Sequence, residues 1–268
     1  KSKAGQEKFG DLYQSHGIAI SYRFLMDEKG CRLFASINRK PQKRISDNKL
    51  GAIGVDINID HLAVAETNES GNLVNSFRVG CCTHGKSQNQ ARAIIGDACK
   101  LIVAYAEERS KPLILEQLDF TKKKQTLKDH SAKRARMLSS FSYGQILGTL
   151  KSRAFRRGIE VMQVNPAFTS VIGRIKFAKH YSISIHQAAA FVIARRMSGY
   201  SERLPRYLDK VPDNKGGHLT LLGLVKKPGR HVWRSWAVLN GELQTALAAH
   251  YQKLARPPSG TSLTSSAV

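Results

Sequence analysis

The chain has 268 residues, 41% of them apolar, and sets 43 Lys and Arg against 20 Asp and Glu for a net charge of +23. That length suits one large domain or a core domain with an appendage, and a field of this sign, at pI about 10.1, selects a polyanionic partner. No run approaches the ~18–20 apolar residues that span a bilayer and no basic-then-apolar leader opens the sequence, which excludes secreted and integral-membrane classes and favours nucleic acid over membrane.

Two strand-like runs, 18–25 and 31–37, flank Asp27-Glu28-Lys29-Gly30 and predict a β hairpin. A basic connector from Arg39 to Lys49, broken by Pro41, marks a boundary, so residues 1–49 read as an N-terminal β segment. A strand around Asp56, a second over 62–67, a turn over 68–72 and a third strand over 73–79 predict an antiparallel meander. Apolar residues at 91, 94, 95, 98, 102 and 105 recur at helical spacing and predict a helix over 88–109. Pro112 then opens a strand ending at Glu116. A second helix is expected over 141–157, a strand over 159–164, and a third helix over 184–196 with Ser184 as N-cap. Beyond Gly199 the pattern weakens: residues 199–256 read as a C-terminal extension and the Ser/Thr/Pro/Gly-rich 257–268 as a disordered tail. Cys31, Cys81, Cys82 and Cys99 form no CxxC pair, so no structural zinc is expected and reduced cytoplasmic thiols fit better.

Three strands, then helix, strand, helix, strand, helix is the element order of an α/β, ribonuclease-H-like core: a mixed sheet flanked by helices, here spanning 50–198. In that fold the first strand lies beside the first strand after the helix. Asp56 and Glu116 end those two strands. Ile53, Val55 and Ile57 take one face, leaving Asp56 on the other; Leu113 and Leu115 likewise leave Glu116 with Ile114. Ionised carboxylates are costly to bury unless paired or holding a metal, so the pair suggests a divalent-cation site for phosphodiester chemistry. The alternative is that each caps a strand beside a loop and meets solvent.

Three segments in this order resemble the TnpB accessory proteins of bacterial insertion sequences, whose RuvC-type nuclease core is shared with type V CRISPR effectors. Gly54-Val-Asp-Ile-Asn-Ile-Asp-His-Leu-Ala63 is similar to the family's first RuvC motif, and Ile114-Leu-Glu-Gln-Leu-Asp-Phe120 to its second. Val164-Asn-Pro-Ala-Phe-Thr-Ser170 resembles the segment ahead of its zinc ribbon. The resemblance implies an RNA-guided DNA endonuclease of the bacterial cytoplasm, nucleoid-associated on DNA, with guide RNA and DNA as partners and Mg²⁺ (or Mn²⁺) held by Asp56 and Glu116. It also implies that the N-terminal hairpin is a wedge-domain remnant. Two departures stand out: the ribbon cysteines are missing, and His186-Gln-Ala-Ala-Ala places an imidazole where the family carries its third catalytic Asp. Imidazole suits Mn²⁺ better than Mg²⁺, and it can also move a proton. His186 is therefore the third candidate catalytic residue. A catalytically silent nucleic-acid binder is the second reading, and a basic structural protein the third.

Between Gln117 and His180 fourteen Lys or Arg face three Asp or Glu. The runs are Lys122, Lys123 and Lys124; Lys133, Arg134 and Arg136; and Lys151, Arg153, Arg156 and Arg157. They are the candidate phosphate contacts along a bound duplex. Phe141, Tyr143 and Phe155, interleaved among them, are expected in the core.

Overall fold

The computed structural model describes residues 20–28, 30–37, 42–118, 140–205, 210–213, 217–220 and 231–255. The chain divides into two compact units, Lys1–Gln42 and Lys43–Val268. In the first, β1 (Ile20–Asp27) pairs antiparallel with β2 (Gly30–Ile37), and both strands are exposed along their length. The division precedes the connector's expected end at Lys49 because the connector is bonded into the second unit. Ile45 N–H donates to Gly158 O (2.9 Å), and Glu160 N–H donates to Ser46 Oγ (2.9 Å).

The second unit is built on one sheet. β3 (Ile53–Ile57), β4 (His61–Thr67) and β5 (Leu73–Gly80) form the antiparallel meander. After α1 (Gln88–Glu108), β6 (Leu113–Glu116) pairs parallel with β3; after α2 (Ser140–Arg156), β7 (Val161–Val164) pairs parallel with β6. The order β5-β4-β3-β6-β7, with the first strand central, is the RuvC-type ribonuclease-H-like sheet. α3 (Thr169–Ile172) runs into a π-helical turn at Gly173–Ala178, and α4 (Ile185–Met197) follows. A short hairpin of β8 (Lys210–Pro212) and β9 (His218–Thr220) precedes α5 (Val232–Ala255).

The pleat sorts the core into two sides. Ile53, Val55, Leu113 and Leu115 pack beneath α1 and α2, with Ile95, Cys99, Ile102, Ile146 and Leu150. Ala52 and Ile114 point the other way and meet Ile193 and Ala194 of α4. Beyond α4, Phe191 joins Phe177 and the α5 residues Trp236, Leu239, Leu243 and Leu247. The weak pattern beyond Gly199 therefore conceals a 24-residue helix with a buried stripe. α1 and α4 each start on a reciprocal cap: Ser87 with Gln90, and Ser184 with Gln187. No described helix is long and apolar enough to cross a membrane.

α4 is buried on every side from Ala188 to Ala194, and two glycines allow it. A Cβ on Gly54 of β3 would stand 2.0 Å from Ala190 O and 2.7 Å from Ala194 N; one on Gly173 would stand 2.7 Å from Ala189 N. Backbone cannot yield as a flexible side chain can. Gly54→Ala is therefore expected to lower stability by about 1–3 kcal/mol or more, read as a fall in the urea midpoint at unchanged m-value. An unchanged midpoint would show that the helix is free to step back.

Candidate active site

Parallel pairing of β3 with β6 runs Ile53↔Leu113, Gly54↔Ile114 and Val55↔Leu115. The next position on each strand is Asp56 and Glu116. They stand level, on neighbouring strands and on the α4 side of the sheet. Asp56 is 9% exposed, and its Oδ2 accepts a hydrogen bond from Asn58 Nδ2 (3.0 Å). Glu116 Oε1 accepts from the Thr169 hydroxyl, and Thr169 is buried at 2% exposure. Each carboxylate thus accepts from a neutral donor.

His186 lies in the first turn of α4, one turn before the Ala190–Gly54 contact. Its Nδ1 stands 3.4 Å from Asp56 Oδ2, and its side chain is 49% exposed. The imidazole thus borders both the carboxylate and solvent.

Several partners at this site were not anticipated. His61, 6% exposed, packs its ring edge-on against His186 at 5.1 Å between centroids. Its Nδ1 bonds to Asp60 Oδ1 at 2.6 Å, and that bond holds the Asp60 carboxyl below its usual range. His61 Nε2 is buried without a hydrogen-bond partner among the described residues. Asp60, His61, His186 and Asp56 form a continuous line of side chains. The Tyr143 hydroxyl donates to Glu116 O (2.8 Å) rather than resting in an apolar core. Burial, and then the charges of Glu116 and Asp56, push its phenol well above the usual range, so it stays a proton donor. Asn58 and His61 sit in the same strand–turn–strand as Asp56 and were within reach of sequence reasoning. Tyr143 and Thr169 are brought in by tertiary packing.

The basic residues divide differently. Lys122, Lys123, Lys124, Lys133, Arg134 and Arg136 lie outside the described residues. Lys151, Arg153 and Arg156 occupy the far end of α2, roughly 12–20 Å along the axis from Tyr143 at 1.5 Å per residue, with Arg157 just beyond. Lys151 Nζ donates to Gln163 Oε1 (3.0 Å), and Arg157 pairs with Glu107 (2.8 Å). Arg153 is half-buried and Arg156 exposed. Phe155 is 48% exposed, against the expectation that it joins the core, because it faces away from the sheet; the Phe141 side chain is outside the described set. The cation nearer the carboxylates is Arg196. Its guanidinium donates to Asn165 O and Ala167 O and feels the charge of Glu116.

Among the described residues no three or more His, Cys, Asp or Glu side chains form a metal-holding cluster. Mg²⁺ is usually held by one or two carboxylates, with waters and substrate phosphate oxygens completing its shell. Two carboxylates level on neighbouring strands match that donor chemistry. The adjoining imidazole nitrogen widens the fit to Mn²⁺.

No family model matches the sequence, and no curated protein matches it either. Solved structures similar to the chain include Thermus thermophilus RuvC in complex with a Holliday junction substrate, at 16% identity and TM-score 0.38, covering 56% of this chain and 96% of that one. A Cas12f1–sgRNA–target DNA complex is similar at 11% identity and TM-score 0.40, covering 68% of each chain. A CRISPR-Cas12f ternary complex is similar at 13% identity and TM-score 0.37, and there the chain spans 49% of the other's length. The chain's fold is RuvC-type by its own strand order, register and helix placement.

Proposed function

We propose that the chain is a RuvC-type, TnpB-like DNA endonuclease that cleaves phosphodiester bonds under the direction of a guide RNA. The observation that carries this reading is the level placement of Asp56 and Glu116 across β3 and β6, with His186 3.4 Å from Asp56. A divalent cation bound there would activate a water and neutralise charge developing on the scissile phosphate. Asp56 and Glu116 would hold it, Asn58 and Thr169 would fix their orientation, and His186 would take or return a proton at the phosphate.

The half-exposed imidazole at the third acid's position favours one other reading, a silent nucleic-acid binder on the same fold. The decisive experiment supplies the full chain with its guide RNA, matched target DNA, and Mg²⁺ or Mn²⁺. Strand cleavage with either ion supports the nuclease; binding without cleavage under both selects the silent binder.

On either reading the net charge of +23 should make binding strongly salt-dependent. Raising salt from ~50 to ~200 mM is expected to weaken DNA binding about a hundredfold or more, as phosphate neutralisation requires. Removing the charges of Arg153 and Arg156 together should flatten the slope in an anisotropy titration. Salt-independent binding would contradict the electrostatic account.

A further inference from the structure

A cavity of about 320 Å³ lies between β7, the end of α4 and the start of α5, lined among others by Asn165, Phe168, Arg196, Tyr200, Trp233 and Trp236. Its volume is at the small end of ligand pockets, about 300–1,000 Å³, enough for one planar ring system. Trp236 is 1% exposed, and its indole N–H donates to Glu202 O at 2.7 Å. Trp233, by contrast, is 39% exposed. Phe168 meets Trp233 edge-on at 6.1 Å, and the Arg196 guanidinium carbon is 5.8 Å from the Trp233 ring centre. Phe168 adopts the left-handed conformation at φ 62°, uncommon for a bulky residue and characteristic of functional sites.

The charged groups in the lining are engaged within the protein, which suits an uncharged ring. Glu202 is the acidic residue in its lining, and it is already paired with Lys176 and, at 2.5 Å, with Arg195. Arg196, at the edge, donates to Asn165 O and Ala167 O. The cavity also adjoins the candidate active site through two connections. Arg196 feels Glu116, and Thr169, next in sequence to Phe168, donates to the Glu116 carboxylate.

We propose that this cavity receives one unstacked nucleobase of the single strand whose phosphate is presented to Asp56 and Glu116, with Trp233 as the stacking platform. Aromatic–base stacking is tolerant of sequence, so the cavity positions a strand without reading it. The inference rests on the nucleic-acid reading above, and it adds a stacking site to the phosphate contacts.

Tryptophan emission of the full chain, titrated with a short single-stranded oligodeoxynucleotide, an abasic strand of equal length and a free mononucleotide, tests the proposal. Trp236 lines the same cavity, so the Trp233→Phe variant, which keeps Trp236, decides which indole is quenched. The base-bearing strand should quench, and Trp233→Phe should abolish the quench while keeping the affinity. Trp233→Ala should weaken the base-bearing strand about 5- to 150-fold, towards the abasic strand's affinity. Equal affinity for base-bearing and abasic strands, with Trp233 silent, overturns the cavity's role but leaves electrostatic binding intact. Equal quenching by the mononucleotide overturns the assignment to a strand. Failure of every strand to bind, measured independently by anisotropy, overturns the nucleic-acid reading itself.

Discussion

Asp56→Asn and Glu116→Gln are each expected to abolish cleavage in the reconstituted complex while leaving binding within a few fold. Loss of an outer partner of a metal ligand alone costs roughly 10–100-fold, so loss of a ligand carboxylate should cost more than about a hundredfold. Neither substitution alters volume, and the Asn58 and Thr169 contacts retain an oxygen to donate to. The fold should therefore persist. Relieving repulsion between two level carboxylates can even raise stability without metal. Single-turnover cleavage assays beside anisotropy titrations separate the outcomes: persisting cleavage removes these residues from catalysis, and parallel loss of binding makes them structural.

The largest expected effect on stability lies elsewhere, at Glu66. This residue is 4% exposed on β4; its Oε1 meets Lys111 Nζ at 2.6 Å, and its Oε2 accepts from the Tyr105 hydroxyl (2.5 Å) and Arg109 Nε (3.0 Å). Lys111, itself 8% exposed, also donates to Thr67 O at 2.9 Å. Removing the carboxylate leaves a buried ammonium and a half-buried phenol short of an acceptor. Glu66→Ala should cost about 3–5 kcal/mol, and Glu66→Gln less. Burial pushes the Glu66 carboxyl up, but the bonds from Lys111 and Tyr105 and the charges of Lys111 and Arg109 outweigh it, leaving it below its ordinary 4.5. A depressed carboxyl contributes stability that is complete above the unfolded value and disappears as pH falls through the folded one. The urea midpoint of the wild type should thus drop more steeply than that of Glu66→Gln as pH is lowered from 5 towards 3, the range of ordinary carboxylates. Parallel curves would mean that Glu66 contributes no linkage.

How much of this was legible in the sequence follows from what kind of information each feature needs. Alternation in Ile53–Ile57 and Leu113–Glu116 specified which face each acid takes, and the pairing of those strands follows from element order. Helical spacing and Ser184 located α4 within a residue or two. Trp236, Leu239, Leu243 and Leu247 carry the same kind of periodicity in α5, but the flanking polar positions and Gly241 diluted it. Side chains arriving from distant elements could not be read. Thr169 reaches Glu116 across 53 positions, and Tyr143 reaches it from a helix whose aromatic spacing looked like core. The basic stretch suggested a cluster because its charges adjoin in sequence, whereas the helix carries Arg153 and Arg156 away from the carboxylates.

The bare-backbone seating of α4 makes position 186 a replaceable part. With Gly54 pressed against Ala190 and Gly173 against Ala188 and Ala189, the helix cannot slide or rotate to accommodate whatever its first turn carries. The side chain at 186, 49% exposed, is not part of that seating. Chemistry at this corner can therefore be exchanged, imidazole for carboxylate or the reverse, without redesign of the scaffold. Under the proposed function, exchange at this one position would alter the ion preferred while the framework stays as it is.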